Sequence, residues 1–189
     1  MKNKLGLLIL VLVCVLAIGC GEKGETGTAD DVQTTTTAEG QEVYVLEFDA
    51  ATVDGEAITS ECFADTKLTM INVWATYCNP CLSEMPDLGE IAAAYDKSEF
   101  QIMGIVCDVM SDAKKEDIEY AKELINTTKA NYPHLLLNES LYMNLVGAVE
   151  SVPTTFFVNQ KGELLGYVIG AQSKATWEGI INDLLADIK

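Results

Sequence analysis

Apolar residues change their spacing several times along this chain. Residues 5–18 form one unbroken apolar run behind Lys2 and Lys4, and residues 21–40 hold almost no apolar side chain. From Val43 onward, short apolar runs alternate with stretches of helical period. Residues 43–53, rich in Val, Phe and Thr, read as a strand, and Asp54-Gly55 as a tight turn into a second strand at 57–59. Residues 68–75 make a strand of the fully buried type. Leu82, Met85, Leu88, Ile91, Ala92 and Tyr95 then recur at helical spacing. Residues 101–106 predict another buried strand, 112–130 a charged helix, 135–137 a short strand and 140–147 a short helix. Strands at 154–158 and 163–169 flank the turn Asn159-Gln160-Lys161-Gly162. Ser173 caps a last helix, on which Trp177, Ile180, Ile181, Leu184, Leu185 and Ile188 make one stripe. This order predicts an α/β fold: a central mixed sheet flanked by helices, with an N-terminal β-hairpin extension.

The first forty residues read as address and linker. The run 5–18 is short of the roughly 20 residues a spanning helix needs, and its length and Lys flanks fit the core of a secretory signal. It ends in Leu16-Ala17-Ile18-Gly19-Cys20, which resembles a bacterial lipobox, where the Cys is lipidated and becomes the mature N-terminus. A plain signal with an incidental Cys, or an uncleaved anchor, are the alternatives. Residues 21–40, with Gly21, Gly24, Gly27 and the run Thr34-Thr35-Thr36-Thr37, bury too little to offset their ordering entropy. The expected organisation is therefore a lipoprotein signal peptide over 1–19, lipidated Cys20 and a flexible linker over 20–40, and one domain over 41–189.

Composition removes several functions. Twelve Lys and no Arg stand against 29 Asp and Glu, a net charge of −17. That balance argues against nucleic acid and against electrostatic docking on anionic lipid. An apolar content of 49% excludes wholesale disorder. Six Cys are too few for a scaffold built from disulfides, so their positions carry the information.

Cys78-Asn79-Pro80-Cys81 holds the candidate chemistry. Two Cys three apart at a helix start can close a disulfide within one turn. Exposed N–H groups and the partial positive charge there favour a thiolate, which makes Cys78 the nucleophile and Cys81 the resolver. Pro80 suits the first turn, where its missing N–H is not needed. A zinc half-site is the alternative, but the remaining donors, Cys62, Cys107 and His134, are single and scattered. Copper would want a softer Cys/His-rich site. Pro86, inside the helical pattern, is expected to kink the helix.

The stretch Asn72-Val73-Trp74-Ala75-Thr76-Tyr77-Cys78-Asn79-Pro80-Cys81, followed by Glu84-Met85-Pro86, resembles membrane-tethered thioredoxin-like thiol–disulfide oxidoreductases of the TlpA/ResA type. The resemblance continues to Ser151-Val152-Pro153-Thr154-Thr155-Phe156-Phe157-Val158 and covers about the whole of 43–189. It implies a thioredoxin-like fold and reduction of protein disulfides at the outer side of the cell membrane, under a lipid anchor. It also implies electrons from a membrane donor of the CcdA/DsbD kind, with no cofactor beyond the Cys78–Cys81 disulfide. Tyr77 stands where the family usually has Trp, and keeps an aromatic wall. The resemblance assigns the proton of Cys81 to Glu84, where a solvated surface glutamate is the alternative. It implies a cis bond at Val152-Pro153 that leaves the Val152 backbone free for a substrate strand, where an ordinary trans turn is the alternative. Cys107 reads as a small buried hydrophobe, Cys62 as a loop or short-helix residue, with a disulfide between them left open, and His134 as incidental. The competing function class is a non-catalytic thioredoxin-fold module for protein docking or metal capture.

Overall fold

The computed structural model describes residues 34–36 and 42–188. The apolar run 5–18, Cys20 and the expected linker apart from Thr34–Thr36 lie outside the described residues. Within that linker, β1 (Thr34–Thr36) pairs antiparallel with β2 (Glu42–Tyr44). A β-branched run takes up strand geometry when a partner strand is available. The single strand expected over 43–53 is two: β2, and β3 (Asp49–Ala51), which forms a hairpin with β4 (Ala57–Thr59). The break falls where Leu46 and Phe48 turn inward, 1% and 5% exposed, Phe48 meeting Phe63 edge-on. Burying those two side chains takes precedence over continuing the ladder. A 3₁₀ turn, Ser60–Asp65, follows under the Thr59 cap.

Next come β5 (Leu68–Trp74), α1 (Asn79–Ala94), β6 (Phe100–Met110), α2 (Lys115–Thr128) and β7 (His134–Leu137). A short α3 (Glu139–Asn144), β8 (Thr154–Asn159), β9 (Leu164–Ile169) and α4 (Lys174–Asp187) complete the chain. Five strands form one sheet in the order β7-β6-β5-β8-β9. β5, β6 and β7 run parallel, while β8 is antiparallel to β5 and β9 to β8. The sheet grows outward from β5 through β6 to β7. Two right-handed crossovers in one direction carry α1 and α2 to the same face. α3 lies on the return path to the far side of β5, and so falls on the opposite face.

Two cores follow. On the α1 face, Leu68, Met70 and Trp74 pack with Met85, Leu88 and Ile91 of α1, Ala121 and Ile125 of α2, and Trp177 and Ile181 of α4. On the other face, Ile71, Val73, Met103 and Ile105 pack with Leu46, Phe48, Phe63, Leu141 and Leu145. The N-terminal hairpin closes the β7 edge, since Thr52 bridges Leu135 and Val53 N–H donates to the His134 carbonyl at 2.8 Å. Pro86 sits inside α1 with its ring exposed, and the helix runs through it from Asn79 to Ala94. Among the described residues no helix is long and apolar enough to cross a membrane.

Candidate active site

The C-terminal end of β5 delivers the chain to the N-terminus of α1. Thr76 is pinned there by Asp108 at the end of β6: its N–H meets the carboxylate oxygens at 3.0 and 3.1 Å, and its hydroxyl donates at 2.5 Å. Cys78 is the N-cap of α1, and its Sγ accepts from the Cys81 N–H at 3.3 Å. Cys78 and Cys81 are joined as a disulfide with Cα atoms 5.3 Å apart. Cys78 keeps 6% exposure and Cys81 none, so a partner reaches Cys78 first. When reduced, a Cys78 thiolate sits at the positive end of the helix with that N–H aimed at it.

Glu84 lies one turn beyond Cys81 on the same buried side of α1 and is 3% exposed. It is not a surface glutamate. Three elements hold its carboxylate: Asn72 Nδ2 of β5 donates to Oε1 at 3.1 Å, and the Gln172 N–H before α4 and Trp177 Nε1 of α4 donate to Oε2 at 3.1 and 3.3 Å. Burial raises its pKa above the ordinary 4.5; the three hydrogen bonds oppose that shift, and Asp87 adds to it. Asn72 is itself tied to Thr155 at 3.0 Å.

Antiparallel register sets the start of β8 beside the end of β5, with Thr154 opposite Val73. The Val152–Pro153 peptide preceding it is cis. The Pro153 carbonyl accepts from Gly170 N–H at 2.8 Å, and Thr154 Oγ1 donates to the Ser151 carbonyl at 2.7 Å. Among the described residues the Val152 N–H and carbonyl have no backbone partner. Tyr77 stands 74% exposed next to the disulfide.

The remaining candidates go elsewhere. Cys62 and Cys107 are free thiols, each pushed up to about 11, chiefly by burial. His134 is not incidental: it is 2% exposed, accepts from Trp74 Nε1 at 3.0 Å through Nδ1, and its Nε2 lies 3.1 Å from the Ala130 carbonyl. Both ring nitrogens are engaged, so neither is free for a metal. Among the described residues no group of three or more His, Cys, Asp or Glu side chains is placed so that it could hold a metal ion. Sequence reasoning missed Asp108, Gln172 and Trp177. Trp177 showed only as part of an apolar stripe, and a backbone N–H has no sequence signal at all.

Residues 42–166 match the model of the AhpC/TSA family. The chain is 27% identical over 118 residues to the thiol-disulfide oxidoreductase ResA of Bacillus thuringiensis (strain Al Hakam), a match covering 62% of this chain and 64% of that protein. The match thus spans just under two thirds of that relative. It is 28% identical over 141 residues to the thioredoxin-like protein YneN of Bacillus subtilis (strain 168), covering 74% of this chain and 76% of that one. Among solved structures it is similar to a thiol:disulfide interchange protein of the thioredoxin family from Chlorobium tepidum TLS. The TM-score is 0.63 and the identity 26%, over 75% of this chain and 94% of that one. The mixed five-stranded sheet with its flanking helices is a thioredoxin-like fold.

Proposed function

This chain belongs to the AhpC/TSA family, and from that membership and the geometry of the dithiol we propose that it is an extracytoplasmic thiol–disulfide oxidoreductase that reduces disulfides in partner proteins. The observation that carries the reading is the Cys78–Cys81 disulfide at the N-terminus of α1 with the buried Glu84 carboxylate one turn on. In the reduced protein, Cys78 thiolate attacks one sulfur of the partner's disulfide. That S–S bond breaks, a Cys78–partner disulfide forms, and the leaving sulfur takes a proton from water. Cys81 then gives its proton to the Glu84 carboxylate, and its thiolate attacks Cys78 Sγ. The partner leaves with its second thiol, reduced by two electrons, and the chain keeps the Cys78–Cys81 disulfide. A partner strand pairing with the Val152 backbone beside Pro153, against the Tyr77 ring, holds the sulfur in line.

Turnover needs two electrons from outside the chain, and a membrane thiol donor of the CcdA/DsbD kind supplies them. The lipobox-like stretch ending in Cys20 supports a lipid anchor on the outer side of the membrane. The test is reduction of a protein disulfide by the full chain with dithiothreitol as electron source, run beside Cys78→Ser. Equal rates with both proteins would leave only a docking module.

A further inference from the structure

Among the described residues, Asn72 Oδ1 and the Tyr132 hydroxyl are buried without a hydrogen-bond partner. The first is an acceptor and the second a donor. The Asn72 amide cannot be turned to help itself. Its Nδ2 donates to Glu84 Oε1 at 3.1 Å and to Thr155 Oγ1 at 3.0 Å, and reversing it would set its oxygen against the carboxylate. Tyr132 approaches the same place from the β7 side. Its ring stacks on His134 at 4.5 Å, at the end of the row that runs from Asn72 through Gly104 to His134. The middle of that row carries no side chain. The loop that leads to Tyr132 is pressed on α1, where a Cβ on Gly89 would lie 2.3 Å from the Lys129 carbonyl oxygen. Burial, and after it the charge of Glu84, raise the pKa of the phenol, so the two groups share one electrostatic environment.

We propose that Tyr132 is a positioning residue for Glu84: through one internal water its hydroxyl and Asn72 Oδ1 give the carboxylate a fourth hydrogen bond. The inference rests on the reductase reading above and adds a residue to its proton step. The water accepts from the Tyr132 hydroxyl and donates to Asn72 Oδ1 and Glu84 Oε1, three bonds being usual for a buried water. Oε1 has room for it, since among the described residues it accepts only from Asn72 and a carboxylate oxygen accepts two. The arrangement pairs two buried groups that would each cost free energy if left alone. Its bond to Oε1 favours the charged carboxylate and so opposes the effect of burial. Glu84 is thereby kept ready for the Cys81 proton, while the water and the phenol keep their own. The titratable groups facing this cluster are Cys81 and Asp87 of α1 and His134, which burial lowers to about 4. α2 and α4 turn the uncharged Ala121, Ile125 and Trp177 to the same core.

The experiment uses the full chain, pre-reduced and freed of dithiothreitol, in single turnover with the symmetric disulfide of 5-thio-2-nitrobenzoate. Cys78 thiolate attacks one sulfur of the probe, releases one thionitrobenzoate and holds the other as a mixed disulfide. Cys81 then gives its proton to Glu84, attacks Cys78 Sγ and releases the second, leaving the Cys78–Cys81 disulfide. The dithiol supplies two electrons and the probe leaves as two thiols. Cys81→Ser, run beside it, measures the release that Cys81 does not cause, including any from the free thiols Cys62 and Cys107. Tyr132→Phe keeps the ring and removes the hydroxyl. The pH at which the second phase is half-maximal should rise by about 0.5–1 unit in Tyr132→Phe. Below the plateau the phase should slow about three- to tenfold, the scale of one hydrogen bond to a charged group. The thermal midpoint should fall, because the water loses a partner, whereas removing an unpaired hydroxyl leaves it equal or raises it. An unchanged pH profile with an equal or higher midpoint would overturn the inference, since the hydroxyl then has no partner. An unchanged profile with a lower midpoint would overturn it too, and leave Tyr132 a purely structural residue. A second phase as fast in Cys81→Ser as in the wild type would instead bring down the dithiol mechanism of the reductase reading.

Discussion

Trp74 donates its indole N–H to His134 Nδ1 at 3.0 Å, sixty residues along the chain. The bond crosses β6 because Gly104 lies between them: register sets Asn72, Gly104 and His134 in one row across β5, β6 and β7. His134 Nδ1 accepts, so Nε2 carries the hydrogen and donates to the Ala130 carbonyl. Tyr132 stacks on the ring at 4.5 Å. The strand that leads to Cys78 is thus fastened to the β7 edge by a neutral imidazole.

Protonating that imidazole breaks the fastening. Burial lowers the pKa of His134 from 6.5 to about 4, and the Ala130 bond and Asp54 only partly oppose the shift. The folded value lies below the unfolded one. The unfolded chain therefore binds the extra proton between them, and stability falls as pH falls. The contribution is full above pH 6.5 and is lost as the pH drops through about 4. Its size is on the order of 3 kcal/mol. Denaturant midpoints from pH 7 to 4 should show a steeper decline for the wild type than for His134→Gln. Parallel curves would mean that the ring is not the group titrating.

Gly104→Ala should be costly for a steric reason. A Cβ there would lie 2.3 Å from His134 Nδ1 and 3.1 Å from Trp74 Nε1. The ring must move and the indole N–H loses its acceptor, a loss of about 2–4 kcal/mol. Thermal unfolding should drop by several degrees or more. An unchanged midpoint would show that the β6–β7 seam relaxes freely.

The dithiol was legible in the sequence because its chemistry is local: two Cys, a Pro and a helix start lie within four residues. Most elements of the sheet were legible too, since fully buried strands such as 68–75 leave unmistakable apolar runs. His134 and Gly104 were not, because their meaning depends on strand register. A lone histidine after Pro133 carries no sign that a glycine on the neighbouring strand has cleared room for it. The break between β2 and β3 was hidden for a related reason. Leu46 and Phe48 alternate as a strand would, yet they bury against Phe63, beyond the hairpin that follows them.

On the proposed reaction, the exposure of the two sulfurs sets the order in which they act. Cys81→Ser should accumulate mixed disulfides with partner proteins, because Cys78 still attacks and nothing resolves the product. Cys78→Ser should accumulate none. Non-reducing gels followed by mass spectrometry of the captured species make the comparison. Equal capture by Cys78→Ser would reverse the assignment of nucleophile and resolver.

Glu84 should set the pH dependence of the dithiol, with Trp177 acting as a positioning residue behind it. The folded pKa of Glu84 lies above the ordinary 4.5. The stability it contributes is therefore full below that value and lost as pH rises through the folded one, the opposite slope to His134. Glu84→Gln keeps the shape but removes the charge. Its stability relative to wild type should climb as the pH rises above 4.5. Resolution of the mixed disulfide should slow on the order of 10²-fold, as for loss of a general base. Trp177→Phe removes the indole donor, one of the bonds that lower the Glu84 pKa, and so should raise that pKa further. The bend in a plot of reduction potential against pH should then move upward in Trp177→Phe and vanish in Glu84→Gln. On the proposed proton transfer between them the two groups are coupled, so the curve is fitted to the pair rather than to either group. A purely structural Trp177 would lower stability and leave the bend in place. Three superimposable curves would mean that another group takes the proton of Cys81.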